Sequence, residues 1–224
     1  MRGPFITFEG IDGCGKSTQF RILGRALTGK GLNPVSTREP GGTAVGEQLR
    51  PLLLSQSEIS LAPLTELFLL AAARAQNVAQ VILPGIEAGQ IVLSDRYIDS
   101  SVAFQGYGRG LDLATVDDVN RIATGGLLPD LTIVYDLAVD LALARVNARY
   151  PSQGSAGATI EADRFHDEDR DFHESVRRGY LELARRNPDR ITVIDASPSV
   201  TQVRDVTLDL VEPLIARVLQ NQSR

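Results

Sequence analysis

The chain has 224 residues, 43% of them hydrophobic and 23% charged, which is the size and balance of one globular α/β domain with a substantial core. Its formal net charge of −5 argues against a protein that coats nucleic acid. Cys14 is the only cysteine, which excludes an intrachain disulfide and a thiolate metal site.

Phe5–Glu9 is an apolar run that reads as a first strand. It leads directly into Gly10-Ile11-Asp12-Gly13-Cys14-Gly15-Lys16-Ser17, the G-x-x-x-x-G-K-[ST] phosphate-loop pattern, followed by Thr18 and a helix over residues 19–27. Backbone N–H groups of such a loop cradle a polyphosphate, the lysine bridges the outer phosphates, and the hydroxyl holds Mg²⁺. The chain has 21 arginines and two lysines, Lys16 and Lys30, so a scarce compact ammonium stands where a phosphate loop wants one.

A second strand over residues 34–37 runs into Arg38-Glu39-Pro40-Gly41-Gly42-Thr43 and a helix over 46–54 that carries Arg50. The Pro-Gly-Gly turn brings backbone close to a ligand. Residues 64–83 read as a long helix ending near Pro84-Gly85, with apolar residues beyond one face. Either packing across a two-fold axis or a fully internal position would bury that excess. A third strand over 91–94 ends in Asp95-Arg96-Tyr97. Residues 99–110 then bring together hydroxyl, amide and aromatic groups, including Ser101, Phe104 and Gln105, as a nucleobase pocket requires. Leu113–Thr124 is a helix closed by Gly125-Gly126, residues 131–135 a fourth strand, and 141–149 a helix. Residues 150–159 are Gly/Ser-rich, and helix 172–186, strand 191–194 and helix 200–219 complete the chain.

Strands separated by helices predict a parallel sheet of about five strands with helices on both faces, spanning residues 1–224 as one domain. Ligands of such sheets bind at the carboxyl ends of the strands, and the unusual residues fall there. The third strand ends in Asp-Arg rather than the Asp-Glu pair of water-activating ATPases. Asp95 can hold a Mg²⁺ shell, and the Arg96 guanidinium can grip a phosphoryl group with two prongs. A guanine-reading Asn-Lys-x-Asp is absent. The Gly/Ser-rich segment reads either as a connector or, because Arg145, Arg149 and Arg164 flank it, as a lid over about 145–165 that closes on the transferred phosphate. Cys14 sits where a helix N-terminus would favour its thiolate, although a small side chain in a tight turn is the plainer reading. His166 and His173, in a charged helical stretch, read as solvated or capping. No apolar stretch approaches 18 residues and Met1-Arg2-Gly3-Pro4 is too short and polar to lead a signal peptide. A soluble cytoplasmic protein without a membrane partner is therefore expected.

Phe8-Glu9-Gly10, Arg38-Glu39-Pro40-Gly41-Gly42-Thr43, Ala72-Ala73-Arg74-Ala75-Gln76, Asp95-Arg96-Tyr97 and residues 99–110 together resemble the bacterial thymidylate kinases. So do Asp163-Arg164-Phe165, Phe172-His173 and Gly179-Tyr180-Leu181, and the likeness spans nearly the whole chain. The resemblance implies transfer of the ATP γ-phosphate to dTMP, giving dTDP, with Mg²⁺, by a homodimer. Implied for donor binding are loop residues Gly10 to Thr18 and, near the nucleotide, Arg145. Lys16 would neutralise the moving phosphoryl group, and Ser17 with Asp95 would hold the metal. Asp12 would accept from the acceptor's sugar hydroxyl, while Arg96 would clamp the acceptor phosphate with Arg50 as a second hand and Glu39 shaping that side. Arg74 would donate to the thymine carbonyl, with Ser101 and Gln105 completing base recognition.

Two departures from the family stand out. The ring that usually stacks on thymine is Leu70 here; lost stacking is worth about 0.5–1.5 kcal/mol, so weaker dTMP binding or compensation by another ring such as Phe104 is expected. Some members carry an arginine at the position of Gly13; this chain resembles those that lack it and supply it from the lid, with Arg149 and Arg164 as candidates. Another nucleoside or nucleoside-monophosphate kinase, or a nucleotide-dependent switch, stays open from the residues alone.

Overall fold

The computed structural model describes residues 2–55, 60–149, 165 and 168–222. The lid arginine Arg164 and His166 lie outside them, as does most of the proposed lid. Five parallel strands, β1 (Phe5–Glu9), β2 (Val35–Arg38), β3 (Val92–Asp95), β4 (Leu131–Asp136) and β5 (Ile191–Asp195), form one sheet in the order β2-β3-β1-β4-β5. Every residue of β1 is buried, as expected of a central strand covered on both faces. Its register sets Phe8 against Asp95 on one side and Ile133 on the other. The loops after β1, β2 and β3 therefore open at one edge of the sheet.

Around the sheet run α1 (Lys16–Gly29), α2 (Ala44–Leu54), α3 (Pro63–Asn77), α4 (Leu83–Glu87), α5 (Ile98–Ser101), α6 (Leu113–Thr124), α7 (Val139–Arg149), α8 (Arg170–Arg186) and α9 (Val200–Gln222). Sequence-local signals set their ends. Thr43 caps α2 by accepting from the Gly46 N–H, and Asp112 caps α6 through Thr115. Asp169 caps α8 through Phe172, and Gly125 closes α6 at φ 61°.

One expectation about the helices needs correction, and one segment without an assigned element proves helical. The helix over 64–83 does not stop at Pro84-Gly85: α3 passes through a π-helical turn, Val78–Ile82, into α4. Pro84 falls in the first turn of α4, where its missing N–H is tolerated. Residues 99–110, read as a nucleobase pocket without an assigned element, are helical as far as Gly108: α5 runs into a second π-helix, Val102–Gly108. That π-helix holds Phe104 and Gln105, and such turns recur at functional sites.

The helical run Pro63–Glu87 is also long and apolar enough, by length and composition, to cross a membrane, contrary to the sequence expectation. Yet Glu66 and Arg74 lie buried on its inward face, each bonded inside the protein. His173, expected to be solvated or capping, is buried beside the Phe172 ring on the inner face of α8.

Beneath the ligand edge, Arg190 at the start of β5 donates from both terminal nitrogens to Asp99 (2.7 and 2.8 Å) and to Thr132 Oγ1 (2.9 Å). A two-pronged ion pair of this kind fixes orientation as well as distance. It fastens α5, and with it the π-helix, to the sheet.

Candidate active site

A cavity of about 380 Å³ opens at the carboxyl ends of β1, β2 and β3. Its floor is the phosphate loop. Lys16 Nζ donates to Asp12 Oδ1 (3.0 Å), and Arg96 Nη2 reaches the same oxygen at 2.6 Å. Burial and Arg96 both pull the Lys16 ammonium down, but Asp12 and Asp95 more than offset them and hold it above its ordinary value. Ser17 Oγ donates to Asp95 Oδ2 at 2.7 Å, so a hydroxyl and a carboxylate stand together at the loop exit. Hard oxygen donors at that position fit the coordination of Mg²⁺, which keeps several waters and takes few protein ligands.

Gly13 has φ 83°, and a Cβ there would sit 2.2 Å from the Ala142 carbonyl oxygen of α7. The loop has no room for any side chain at this position, which is a physical reason for the missing arginine. Cys14 is buried, and burial pushes its thiol up. The thiolate that a helix N-terminus would favour is not favoured here, because desolvation outweighs Lys16, and the plainer reading of a small side chain in a tight turn fits.

Arg96 has φ 75°, an uncommon conformation for a side-chain-bearing residue. Four bonds hold it: Nη1 donates to Gly10 O, Ser100 Oγ and Tyr180 OH, each at 3.1 Å, and Nη2 to Asp12. The Phe104 ring lies 4.8 Å from the guanidinium carbon. Burial pulls Arg96 down, while Asp12, Tyr180 and Glu9 push it further up, so it stays charged. A cation fixed before substrate arrives costs no reorganisation at the moment of reaction.

Arg74, only 1% exposed, crosses from α3 to the opposite wall. Nε donates to Glu39 (2.7 Å), Nη1 to Ser101 (3.0 Å) and Asn120 (2.5 Å), and Nη2 to the Tyr97 carbonyl (3.2 Å). A guanidinium has five N–H groups, so one remains for a ligand. Glu39 is raised by burial and lowered by Arg74. Arg50 Nη1 donates to the Pro40 carbonyl at 2.7 Å and lines the same cavity, as do Leu70, Ser101, Phe104 and Gln105. Phe104 meets Phe165 edge-on at 5.4 Å, and Phe165 also lines the cavity. Apolar cover beside Leu70 is therefore supplied by a cluster of rings.

Glu9 had no role in the sequence reading. Its Oε1 accepts from the Tyr97 N–H (2.8 Å), and Oε2 accepts from Ser100 (2.6 Å) and Tyr180 (2.9 Å). These are the hydroxyls that receive Arg96, so Glu9 anchors its support. Burial, with help from Asp99, raises the carboxyl to about 7, against Arg96, Ser100 and Tyr180. Between its ordinary value of 4.5 and 7 the folded chain holds a proton that the unfolded chain releases. The contribution is full below 4.5 and is lost as pH rises to 7, on the order of 3 kcal/mol in all. Glu9→Gln cannot titrate, so its melting temperature relative to wild type should climb by several degrees from pH 5 to pH 8. A difference independent of pH would show Glu9 ionised throughout.

The structure thus brings together Asp12, Gly13, Gly15, Lys16, Ser17 and Thr18 of the loop with Arg96, Asp95, Glu39, Arg50, Leu70, Arg74, Ser101, Phe104 and Gln105, whereas Gly10, Ile11 and Cys14 are buried and do not line the cavity. Arg145 stands apart, with Nη1 donating to the Ala196 carbonyl after β5 (3.3 Å). Arg149 is the last residue of α7. Glu9 and Tyr180 stood in motifs that carry the resemblance but had no role there, and Glu66, Asn120 and Arg190 went unread in the sequence. An acidic residue inside an apolar strand or helix, as at 9 and 66, was the signal available.

A phosphate loop on a parallel sheet, opening into a cavity rich in arginine with a base-sized polar wall, defines a P-loop phosphotransferase of the nucleotide-kinase class. A family model described as thymidylate kinase matches residues 8–206. The chain is 53% identical to a thymidylate kinase of Desulfovibrio desulfuricans over 193 residues, covering 86% of this chain and 88% of that one. It is 46% identical to one from Pelotomaculum thermopropionicum over the full length of both. The crystal structure of thymidylate kinase from Ehrlichia chaffeensis superposes with a TM-score of 0.73 at 32% identity, covering 94% of this chain and 99% of that one. The chain belongs to the thymidylate kinase family.

Proposed function

We propose that the cavity transfers the γ-phosphate of ATP to dTMP, giving dTDP and ADP, with the residues in the following roles. The phosphate loop, Gly10 to Thr18, takes the donor polyphosphate, and Lys16 neutralises charge on the moving group. Asp12, between Lys16 and Arg96, sits where donor and acceptor meet. Arg96, with Arg50, clamps the acceptor phosphate, while Arg74, Ser101 and Gln105 read the base against Leu70 and Phe104. Ser17 and Asp95 would hold Mg²⁺, which when bound offsets phosphate charge. Arg145, Arg149 and Arg164 are proposed for the lid side. Phosphoryl transfer asks for alignment and charge neutralisation more than for covalent chemistry, and a preformed cage of cations meets that demand.

One observation carries this reading: the loop lysine, the Ser17–Asp95 pair, the Asp12–Arg96 pair and the Arg74–Gln105 wall all line one cavity. Purified protein given ATP and Mg²⁺ should release ADP fastest with dTMP, then dUMP, with CMP and thymidine poor acceptors. Chelating the divalent cation should abolish turnover. ADP release without any acceptor, or a preference for thymidine, would overturn the assignment.

We read the working form as a homodimer in the cytoplasm, with small-molecule substrates and no nucleic-acid or membrane partner. Leu64, Phe68 and Leu83 form an exposed apolar stripe along α3 and α4, with Phe68 54% exposed. Spacings of three or four residues through Ala72, Ala75 and Ala79 make it continuous, and the same stripe on a second copy would cover it.

A further inference from the structure

Among the described residues, Gln105 is the only side-chain amide lining the cavity. A glutamine amide presents a donor on one side and an acceptor on the other, and its preference toward a base depends on which way it is turned. Here Nε2 donates to Glu66 Oε1 at 2.7 Å. Glu66, on α3, is 1% exposed, and Arg109 Nη2 lies 3.5 Å from its other oxygen, supplying a counter-charge. An ionised carboxylate only accepts hydrogen bonds, so it holds the NH₂ group and excludes the flipped amide. Gln105 Oε1 accepts no hydrogen bond among the described residues. It is not among the sealed, unpartnered atoms as Gln19 Oε1 is.

We infer that Glu66 is a positioning residue that turns Gln105 into a hydrogen-bond acceptor toward the base, and so selects an N3–H imide over an unprotonated N3. Thymine and uracil carry N3–H beside a carbonyl at C4; cytosine carries a bare N3 beside an amino group. The acceptor on Gln105 and the remaining N–H of Arg74 match the first edge, whereas the second would set acceptor against acceptor and donor against donor. Unpaired groups of this kind in a dry site are what give strong discrimination. Specificity against cytosine would then originate one side chain behind the residue that touches the base. The inference rests on the acceptor site proposed above.

Glu66→Gln keeps the size but lets Gln105 pair in either orientation. It should raise the dTMP KM about tenfold with kcat changed less than twofold, and lower the dTMP-over-dCMP ratio of kcat/KM at least tenfold. dUMP, which has the same imide, should follow dTMP. The double exchange Glu66→Gln/Gln105→Glu reverses donor and acceptor between the pair while leaving a carboxylate oxygen for N3–H, so it should recover most of the dTMP preference. A purely structural Glu66 would lower thermal stability without moving the ratio, and the exchange would recover nothing; either result overturns the inference. Should the single variant fail to fold, the exchange decides alone, since loss of dTMP preference in it counts against the inference. Gln105→Ala separates the two levels. If it leaves the dTMP KM unchanged, the acceptor site itself is misassigned and the inference falls with it. If it raises KM while Glu66→Gln does not, only the role of Glu66 falls.

Discussion

Replacing Arg96 by alanine is expected to lower kcat for dTMP phosphorylation by about a hundred- to a thousandfold, the usual effect of removing one preorganised charged donor. The reason lies in what already holds the side chain. Four hydrogen bonds and the Phe104 face fix the guanidinium before any substrate binds. Its removal also takes one of two cations from Asp12 Oδ1, drawing Lys16 toward the carboxylate and away from the donor side of the loop. Arg96→Lys restores charge but not the fork. One ammonium cannot reach Gly10, Ser100, Tyr180 and Asp12 together, so recovery should stay below about tenfold. Steady-state kinetics against dTMP measures both variants. A lysine variant close to wild type would mean that charge alone matters and that the anchoring by Glu9, Ser100 and Tyr180 is incidental.

Gly13→Ala should be strongly damaging for the addition of a single methyl. Two costs add. A φ of 83° costs an L-residue roughly 1–2 kcal/mol. The new Cβ would also lie 2.2 Å from the Ala142 carbonyl, a backbone atom that no rotamer change can move. Either the loop or α7 must shift, for a total of about 2–4 kcal/mol and a fall in melting temperature of roughly 5–12 °C. The ATP KM should rise more than tenfold, because the displaced N–H groups are those aimed at the phosphates. Gly110→Ala is the control. It has φ 75° with nothing within 4 Å of the added carbon, so it carries the backbone cost alone, about 1 kcal/mol. Equal melting temperatures for the two variants would show that α7 does not press on the loop.

Much of this site was legible in the sequence because its information is local. The phosphate loop is eight contiguous residues between a strand and a helix, and Asp95-Arg96 follows its strand directly. Local patterns also placed all five strands within a residue or two. The misreadings share a cause. Residues 99–110 gave no helical signal because polar and glycine residues interrupt any 3.6-residue period. A π-helix has a different period, and it is stabilised by α8 and α5 packed against it. Pro84 looked like a stop because a proline inside an α-helix costs a hydrogen bond, and the preceding π turn changes which carbonyl is left without one. His173 looked solvated among charged neighbours, yet it falls on the inner face of α8.

By itself the sequence determined that a phosphate-loop pattern runs from Gly10 to Ser17, that strands and helices alternate around a parallel sheet, and which arginines crowd its ligand edge. Those properties follow from short-range spacing and from the chemistry of single residue types. Tertiary structure decided which charges are held and in what posture. Glu9 supports Arg96 across 87 residues of chain, Glu39 in the turn after β2 and Asn120 on α6 hold Arg74, and Glu66 accepts from Gln105. Buried polar groups must find partners wherever the fold brings them, so pairs far apart in sequence leave no mark in spacing and are settled only when the helices pack.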